Sequence, residues 1–543
     1  MSLFHFGGNI LISLSKTRDT YRDEGGSGVI SGALSLTIST IIIKILGLIY
    51  KIPLASFLGD EGMGYFNSAY TVYGLFYLLC TAGVPKAVTV LVTEARVKGK
   101  DISGEKIVRV ALSAFLTIGA LATICFVALS GPISEFIGNS KARATMLAVA
   151  PSVIFISLGG VLRGYLTAGM NLFSVAVAGI IEGVGKLVIG LVFANFAYTR
   201  GLSCDVISAY TILGVTIGSA LGFIFLLICS KNAIFRKNIG QNKSEEKNGS
   251  VLKRIFSISL PITVSAAVMS IGSIVDLTVI MRRLIDAGYS QLEATSLYGN
   301  YTTFAVPMFN LVIALITPLS TAFLPVFVKA RVGGELIMQE ESYKNSFTIS
   351  AIVSAPMILG MAVFSREILT VIFGESGVSI GAPLLTMLMP GAFFMSVLLM
   401  VNTALEARGD VRTPVISMSV ATVFKIIISS ALLSHPDFGI SGAPIGTAVS
   451  YAVALSISVL VSVKKHGMRP PVLSTHVLPY LNAFVSVTVA RGLHRRMIAD
   501  YGALPSLAAA ILTCAFIYLL MSVLSGTLSV KRIKKMAKYT KAT

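Results

Sequence analysis

The chain has 543 residues, of which 54% are apolar and 13% charged, and its mean hydropathy is +0.82. Soluble domains carry roughly 25% charged residues, so this composition excludes a soluble enzyme and a disordered chain. The formal net charge of +19 comes from 44 Lys and Arg residues against 25 Asp and Glu residues. The composition predicts an all-α integral membrane protein, in which such a cationic excess belongs in the loops.

Fourteen apolar runs are long enough to approach the roughly 20 residues that a transmembrane helix needs. In chain order these predicted helices 1 to 14 cover 29–50, 65–93, 107–130, 144–167, 172–195, 206–230, 255–281, 297–325, 346–364, 381–405, 413–434, 441–463, 474–494 and 503–525. A cytoplasmic leader is predicted at 1–28, a polar cytoplasmic linker at 231–254 and a basic cytoplasmic tail at 526–543. The five cysteines show no CxxC or Cys/His spacing, so neither a disulfide framework nor a metal site is indicated, and no cofactor is expected.

The distribution of Lys and Arg predicts the orientation. With the N-terminus inside, the inside segments hold about three times as many Lys and Arg residues as the outside segments, which fits the positive-inside rule. Both termini are therefore predicted on the cytoplasmic side of the membrane, although Arg491, Arg495 and Arg496 fall on the other side. The basic tail suits anionic lipid headgroups, or serves only as a topology anchor.

The longest polar gap is shorter than the roughly 50 residues that a folded domain requires. No extramembrane catalytic domain fits within it, and no D-x-D motif is present. The sequence therefore argues against an integral-membrane glycosyltransferase or polymerase, and no enzymatic activity is predicted. Because a cationic excess in loops follows from topology, no nucleic-acid partner is expected either.

An internal repeat divides the predicted helices. Three residue types recur at an offset of 239 positions: Pro151, Leu166 and Lys186 in the first half, and Pro390, Leu405 and Lys425 in the second. Duplication predicts two six-helix lobes, 29–230 and 255–463, related by an axis along the membrane normal, with two extra helices at 464–525. The lobes would enclose a central cavity. Chance matching in apolar sequence is the alternative.

Four lysines fall within predicted helices, where a charge costs roughly 2.5 to 3.5 kcal/mol at the bilayer centre. They are Lys44, Lys86, Lys186 and Lys425. Lys186 and Lys425 lie near mid-span. For Lys44 and Lys86, snorkelling to the interface and a cavity role remain equal alternatives. A cavity lined by such cations suits an anionic substrate such as a pyrophosphate.

Two carboxylates accompany these lysines. Glu182 precedes Lys186 by four residues on one helical face, so either an internal salt bridge or a role for this face in substrate binding is open. Lys425 has no acid three or four residues away on its own helix. Asp276 in predicted helix 7 either pairs with an arginine, of which Arg283 shares its face, or binds a coupling cation.

Several short motifs resemble those of a known transporter group. They are Leu162-Arg163-Gly164-Tyr165, Gly169-Met170, Glu182-Gly183-Val184-Gly185-Lys186, Ile45-Leu46-Gly47-Leu48 after Lys44, and Arg282-Arg283-Leu284 with Leu297-Tyr298-Gly299. Together they resemble the polysaccharide-transport branch of the multidrug/oligosaccharidyl-lipid/polysaccharide (MOP) exporter superfamily, and in particular its SpoVB-like and MurJ-like members. The likeness covers nearly the whole chain.

The resemblance implies a flippase that uses alternating access to carry an undecaprenyl-pyrophosphate-linked sugar, with lipid II as leading candidate, for peptidoglycan or other cell-wall polysaccharide synthesis. It further implies possible contacts with the cell-wall synthesis machinery. Lys44 stands where lipid II flippases have a first-helix arginine. Their cavity arginines in helices 2 and 8 have no counterpart here, since the region around Tyr301 and Thr302 is uncharged, which leaves room for another lipid-linked oligosaccharide.

The alternative within the superfamily is a cation-coupled multidrug exporter. Such a protein needs carboxylates to neutralise a cationic drug. The predicted spans here contain four lysines against two acids, which favours the flippase.

Overall fold

The computed structural model describes residues 27–98, 104–169, 171–231, 247–332, 336–375, 377–410 and 412–528. These residues are predominantly helical, and no strand occurs among them. The all-α prediction is confirmed. Most of the predicted leader (1–28), linker (231–254) and tail (526–543) lies outside the described residues, so their roles remain predictions.

Seventeen α-helices follow one another in the described ranges. They are α1 Ser27–Thr81, α2 Val84–Lys98, α3 Gly104–Ile137, α4 Ala142–Val149, α5 Ser152–Ala168, α6 Leu172–Thr199, α7 Cys204–Cys229, α8 Asn248–Asp286, α9 Gln291–Asn300, α10 Val306–Val332, α11 Leu336–Val363, α12 Ser365–Phe373, α13 Val378–Ala407, α14 Arg412–Leu433, α15 Gly442–His466, α16 Val472–Tyr501 and α17 Ala503–Leu524. A π-helix, Tyr301–Ala305, joins α9 to α10, and a short 3-10 helix, Gly439–Ser441, precedes α15.

Twelve helical stretches in the described part of the chain are long and apolar enough to cross a membrane. They correspond to predicted helices 2 to 6 and 8 to 14. The two remaining predictions, 29–50 and 255–281, fall inside α1 and α8 and are helical as well. The architecture is therefore that of a multi-pass helical membrane protein, and it is compatible with fourteen spans.

The boundaries of the first two predicted helices differ from the structure. The predicted gap at 51–64 is helical. Helix α1 continues through it and contains one non-helical residue, Gly59, whose φ is 62°. Glycine adopts this left-handed conformation without a side-chain penalty. Predicted helix 2 is instead divided at Ala82 and Gly83, where α1 ends and α2 begins with Pro85 in its first turn. Proline fits the first turn of a helix because the backbone N–H it lacks would have no partner there.

The described residues form two compact units. The first comprises those up to Lys51 together with Ala69–Ile133 and Lys141–Ile271. Within it α6 packs closely on α7: a Cβ placed on Gly185 would lie 2.8 Å from the Cα of Gly218. Such small residues let two membrane helices approach until their backbones touch, and this contact fixes the helix that carries Glu182 and Lys186.

The second unit comprises Ile52–Ser68, Ser134–Ser140 and the described residues from Gly272 onward. The Ile52–Ser68 part of α1 and the π-helix are linked here by a buried hydrogen bond, in which Asn67 Nδ2 donates to Thr303 Oγ1 at 2.9 Å. The predicted lobe boundaries at 29–230 and 255–463 remain predictions.

Candidate functional site

Lys186 lies between two tyrosine rings of the first unit. Its Nζ is 4.3 Å from the ring centroid of Tyr70 and 5.3 Å from that of Tyr50. Among the residues that the structure describes, no carboxylate forms an ion pair with this ammonium. The lysine is therefore stabilised by cation–π contacts, whose strength rises when the charge is removed from water. Lys51, next to Tyr50, is close enough to Lys186 for the two positive charges to interact.

Glu182 pairs with an arginine instead of with Lys186. Arg163 on α5 donates from Nη2 to Glu182 Oε1 at 2.6 Å, and the two side chains are 21% and 26% exposed. The internal salt bridge between Glu182 and Lys186, left open by the sequence, does not form. Sequence spacing identified the neighbour on the same helix, whereas the packing of α5 on α6 supplies a better placed cation.

A row of three tyrosines connects these two features. Tyr70, Tyr73 and Tyr77 lie on one face of α1, with centroid distances of 5.5 Å between the first two rings and 5.9 Å between the last two. Tyr77 interacts electrostatically with both Arg163 and Glu182. We call this set, from Lys186 through the three tyrosines to Arg163 and Glu182, the tyrosine strip. Sequence reasoning missed the row, although its three- and four-residue spacing is typical of one helical face.

The described side chains do not bring Lys86 into this arrangement. Lys86 lies in the first turn of α2 and is exposed. Lys44 lies within α1, and its side chain is outside the described set. Their roles in substrate binding stay predictions.

In the second unit Lys425 and Asp276 form an ion pair. Lys425 Nζ on α14 lies 2.7 Å from Asp276 Oδ2 on α8, with side chains 22% and 24% exposed. An arginine partner for Asp276 is therefore wrong, and Arg283 instead contacts Asp286 at 3.2 Å. The acid that Lys425 lacked on its own helix comes from another helix 149 residues away.

Tyrosines also surround this second pair. Tyr301 and Tyr451 both interact electrostatically with Lys425 and Asp276. The ring of Tyr451 stacks on Phe309 with centroids 5.9 Å apart. A lysine and an aspartate in contact are together neutral, so this location offers an anion less attraction than Lys186 does.

A third cluster lies between the spans, where α13 is followed by α14. Asp410 Oδ2 is 2.8 Å from Lys465 Nζ and 3.0 Å from His466 Nε2, while its Oδ1 accepts hydrogen bonds from the backbone and hydroxyl of Thr413. The bond from Lys465, followed by those from His466 and Thr413, lowers the pKa of Asp410 well below its usual value. The cluster connects the end of α15 to the start of α14, and its role is structural.

Comparison with known proteins decides the family. A family model described as polysaccharide biosynthesis protein matches residues 29–331, more than half of the chain. The chain belongs to this family. This chain is 24% identical to Stage V sporulation protein B of Bacillus subtilis (strain 168), and the alignment covers 76% of this chain and 79% of that protein. Lipid II flippase MurJ of the same strain is 20% identical over 81% of this chain and 83% of its own.

Solved structures give the same fold for this family member. Lipid II flippase MurJ in an inward closed conformation superposes with a TM-score of 0.68, covering 90% of this chain and 98% of that one at 16% identity. An inward-facing multidrug resistance MATE family transporter of the MOP superfamily gives 0.64, with 80% and 98% covered at 16% identity. The relationship to SpoVB-like and MurJ-like proteins that the motifs predicted is confirmed by the family model and these relatives.

Proposed function

We propose that this protein is a flippase that carries an undecaprenyl-pyrophosphate-linked sugar across the bacterial plasma membrane, with lipid II as leading cargo. The observation that carries the proposal is Lys186. Its ammonium lies within a membrane-spanning helix and contacts two aromatic rings, and no described carboxylate pairs with it. A diphosphate supplies the missing negative charge.

The magnitudes support a ligand role for this charge. A lysine at the bilayer centre costs roughly 2.5 to 3.5 kcal/mol, whereas a desolvated cation–π contact returns about 2 kcal/mol. Lys186 has two such contacts, which together are large enough to offset this cost. The tyrosines therefore hold the ammonium in place without supplying a negative charge, and its positive charge stays available to a bound anion.

Transport is proposed to follow alternating access, as the family resemblance implies. The headgroup enters from the cytoplasmic side, binds at Lys186 and is released outside, while the polyprenyl tail stays in the lipid. The relatives named above support this cargo class, because two of them carry lipid II flippase in their names. We also propose that both termini lie on the cytoplasmic side, that the basic C-terminal tail binds anionic lipid headgroups, and that the protein contacts the cell-wall synthesis machinery.

The test is complementation of bacterial cells depleted of their own lipid II flippase. Lys186→Ala is expected to reduce translocation at least about tenfold, because it deletes a contact worth about 1.4 kcal/mol or more to a phosphate. Lys186→Arg keeps the charge and is expected to retain most activity. The measurement is the amount of undecaprenyl-linked precursor that accumulates on the cytoplasmic face.

Lys253→Ala is the matched control, since this exposed lysine precedes the apolar part of α8. Full translocation by Lys186→Ala at unchanged membrane abundance would contradict the proposal.

A cation-coupled multidrug exporter is the second candidate, and Asp276 together with the MATE fold favours it. A coupling cation at Asp276 would have to displace Lys425 from its 2.7 Å contact. Overexpression is expected to leave susceptibility to cationic drugs unchanged if the flippase proposal is right. Resistance that is lost in Asp276→Asn would establish the exporter instead.

A further inference from the structure

We propose that the tyrosine strip binds the sugar attached to the diphosphate, so that the first unit recognises both parts of a glycosyl diphosphate. This inference rests on the proposed function. It assigns the diphosphate to Lys186 and the adjoining sugar to Tyr70, Tyr77 and the Arg163–Glu182 pair. It also makes the sugar a condition for tight binding.

The geometry of the strip supports this division. Tyr70 contacts the Lys186 ammonium on one side and the ring of Tyr73 on the other. A group bonded to a phosphate at Lys186 would therefore meet this row next. Seven residues separate Tyr70 from Tyr77, which is about 10 Å along a helix axis, and the Arg163–Glu182 pair marks the far end.

The exposure of the three rings differs in a way that suits binding. Tyr70 is 39% exposed and Tyr77 is partly exposed, whereas Tyr73 is only 4% exposed. The buried middle ring packs between the other two and fixes their spacing. The outer rings retain surface that a ligand can cover.

The chemistry of the strip matches a sugar better than a hydrocarbon chain. A pyranose has C–H faces, which pack on the electron-rich face of an aromatic ring, and hydroxyl groups, which donate and accept hydrogen bonds. Arg163 supplies donors and Glu182 supplies acceptors. Arg163 Nε is moreover buried without a hydrogen-bond partner among the described residues, so a donor at this end remains to be satisfied. A polyprenyl tail offers Arg163 Nε no hydrogen-bond acceptor.

Two synthetic lipids separate the two parts of the site. Binding to the purified full-length protein in detergent is measured for undecaprenyl diphosphate and for undecaprenyl diphosphate that carries one N-acetylhexosamine. The unmodified chain is expected to bind the glycosylated lipid at least about tenfold more tightly, which corresponds to about 1.4 kcal/mol. Tyr77→Leu is expected to abolish this preference and leave affinity for the bare lipid unchanged.

Three further variants complete the design. Tyr77→Phe keeps the ring and is expected to retain part of the preference, and Tyr501→Leu removes an exposed tyrosine at the end of α16 as a control. Lys186→Ala is expected to weaken both lipids equally. Affinity for the bare lipid reports on folding in the tyrosine variants, and thermal unfolding in detergent reports on it in Lys186→Ala.

The outcomes distinguish the two proposals. If Tyr77→Leu weakens both lipids to the same extent, or changes neither, the sugar assignment is wrong while the flippase proposal stands. If Lys186→Ala changes neither lipid, the diphosphate site and the proposed function fail together.

Discussion

Lys186 and Lys425 are related by the offset of 239 positions that suggests an internal repeat, yet their surroundings differ. Each lies in a membrane-spanning helix beside two tyrosines. Lys425 contacts the carboxylate of Asp276 at 2.7 Å, whereas Lys186 contacts aromatic rings and has no carboxylate partner among the described residues. Glu182, the acid nearest to Lys186 in its own helix, is instead paired with Arg163.

The difference favours separate roles for the two lysines. An ion pair in a span stabilises the fold only while both partners are present, since deleting one leaves an uncompensated charge. An ammonium held by aromatic rings keeps most of its charge available to a ligand. If the proposed function is right, anion binding belongs to the first unit and structural pairing to the second.

Deletion of the second lysine is the largest expected effect on stability. Lys425→Ala leaves Asp276 unpaired and is expected to lower the free energy of unfolding by about 3 kcal/mol, at the lower end of the range for buried pairs because both side chains keep some exposure. Lys186→Ala leaves no carboxylate without its partner, and its free energy of unfolding is expected to remain within about 1 kcal/mol of that of the unmodified chain. Thermal unfolding in detergent measures both.

The double variant Lys425→Ala with Asp276→Ala is the control for this comparison. It removes both charges and is expected to recover most of the lost stability. Equal destabilisation by the two single lysine variants would abolish the distinction between the sites.

A carboxylate introduced beside Lys186 would make the first site resemble the second. Tyr70→Glu places an acid where the ring now contacts the ammonium, and it is expected to reduce the affinity for undecaprenyl diphosphate about tenfold more than Tyr70→Gln does. The matched glutamine removes the same ring without adding charge. Equal losses in the two variants would show that the free charge of Lys186 does not attract the lipid.

The sequence predicted the helices well because their signal is local. A transmembrane helix can be predicted from the apolar residues of its own segment alone, and the twelve candidate spans coincide with twelve predicted ones. The gap at 51–64 was mispredicted because one glycine, Gly59, suffices for the change of direction there, and the flanking residues continue as helix.

The partners of the charged residues could not be predicted in the same way. Spacing within one helix suggested Lys186 for Glu182 and Arg283 for Asp276, but the ion pairs form with Arg163 and Lys425 on other helices. Such pairs depend on which helices pack together, and a single sequence does not contain that information. The tyrosine row has a readable spacing, yet only the packed structure places Lys186 on it.

The smallest expected effect on stability comes from a carboxylate that lies between the spans, Asp410. Its substitution serves as a reference for the two membrane sites. Asp410 contacts Lys465, whose side chain is 63% exposed, as well as His466 and Thr413. Asp410→Asn is expected to lower the free energy of unfolding at neutral pH by about 1 kcal/mol, at the upper end of the range for a solvent-exposed ion pair. This loss is smaller than the one at Lys425 because water screens the exposed lysine.

The pH dependence of this effect follows from the direction of the pKa shift. The pKa of Asp410 is lowered in the folded chain, chiefly by the hydrogen bond from Lys465. The carboxylate therefore stabilises the fold above the unfolded-state pKa of roughly 3.9, and this contribution is lost as pH falls towards the folded-state value. Unfolding of the unmodified chain and of Asp410→Asn is compared between neutral pH and the acid range, and the difference between them is expected to shrink on acidification. A difference that stays constant with pH would mean that hydrogen-bond geometry, and not the charge of Asp410, holds the ends of α14 and α15 together.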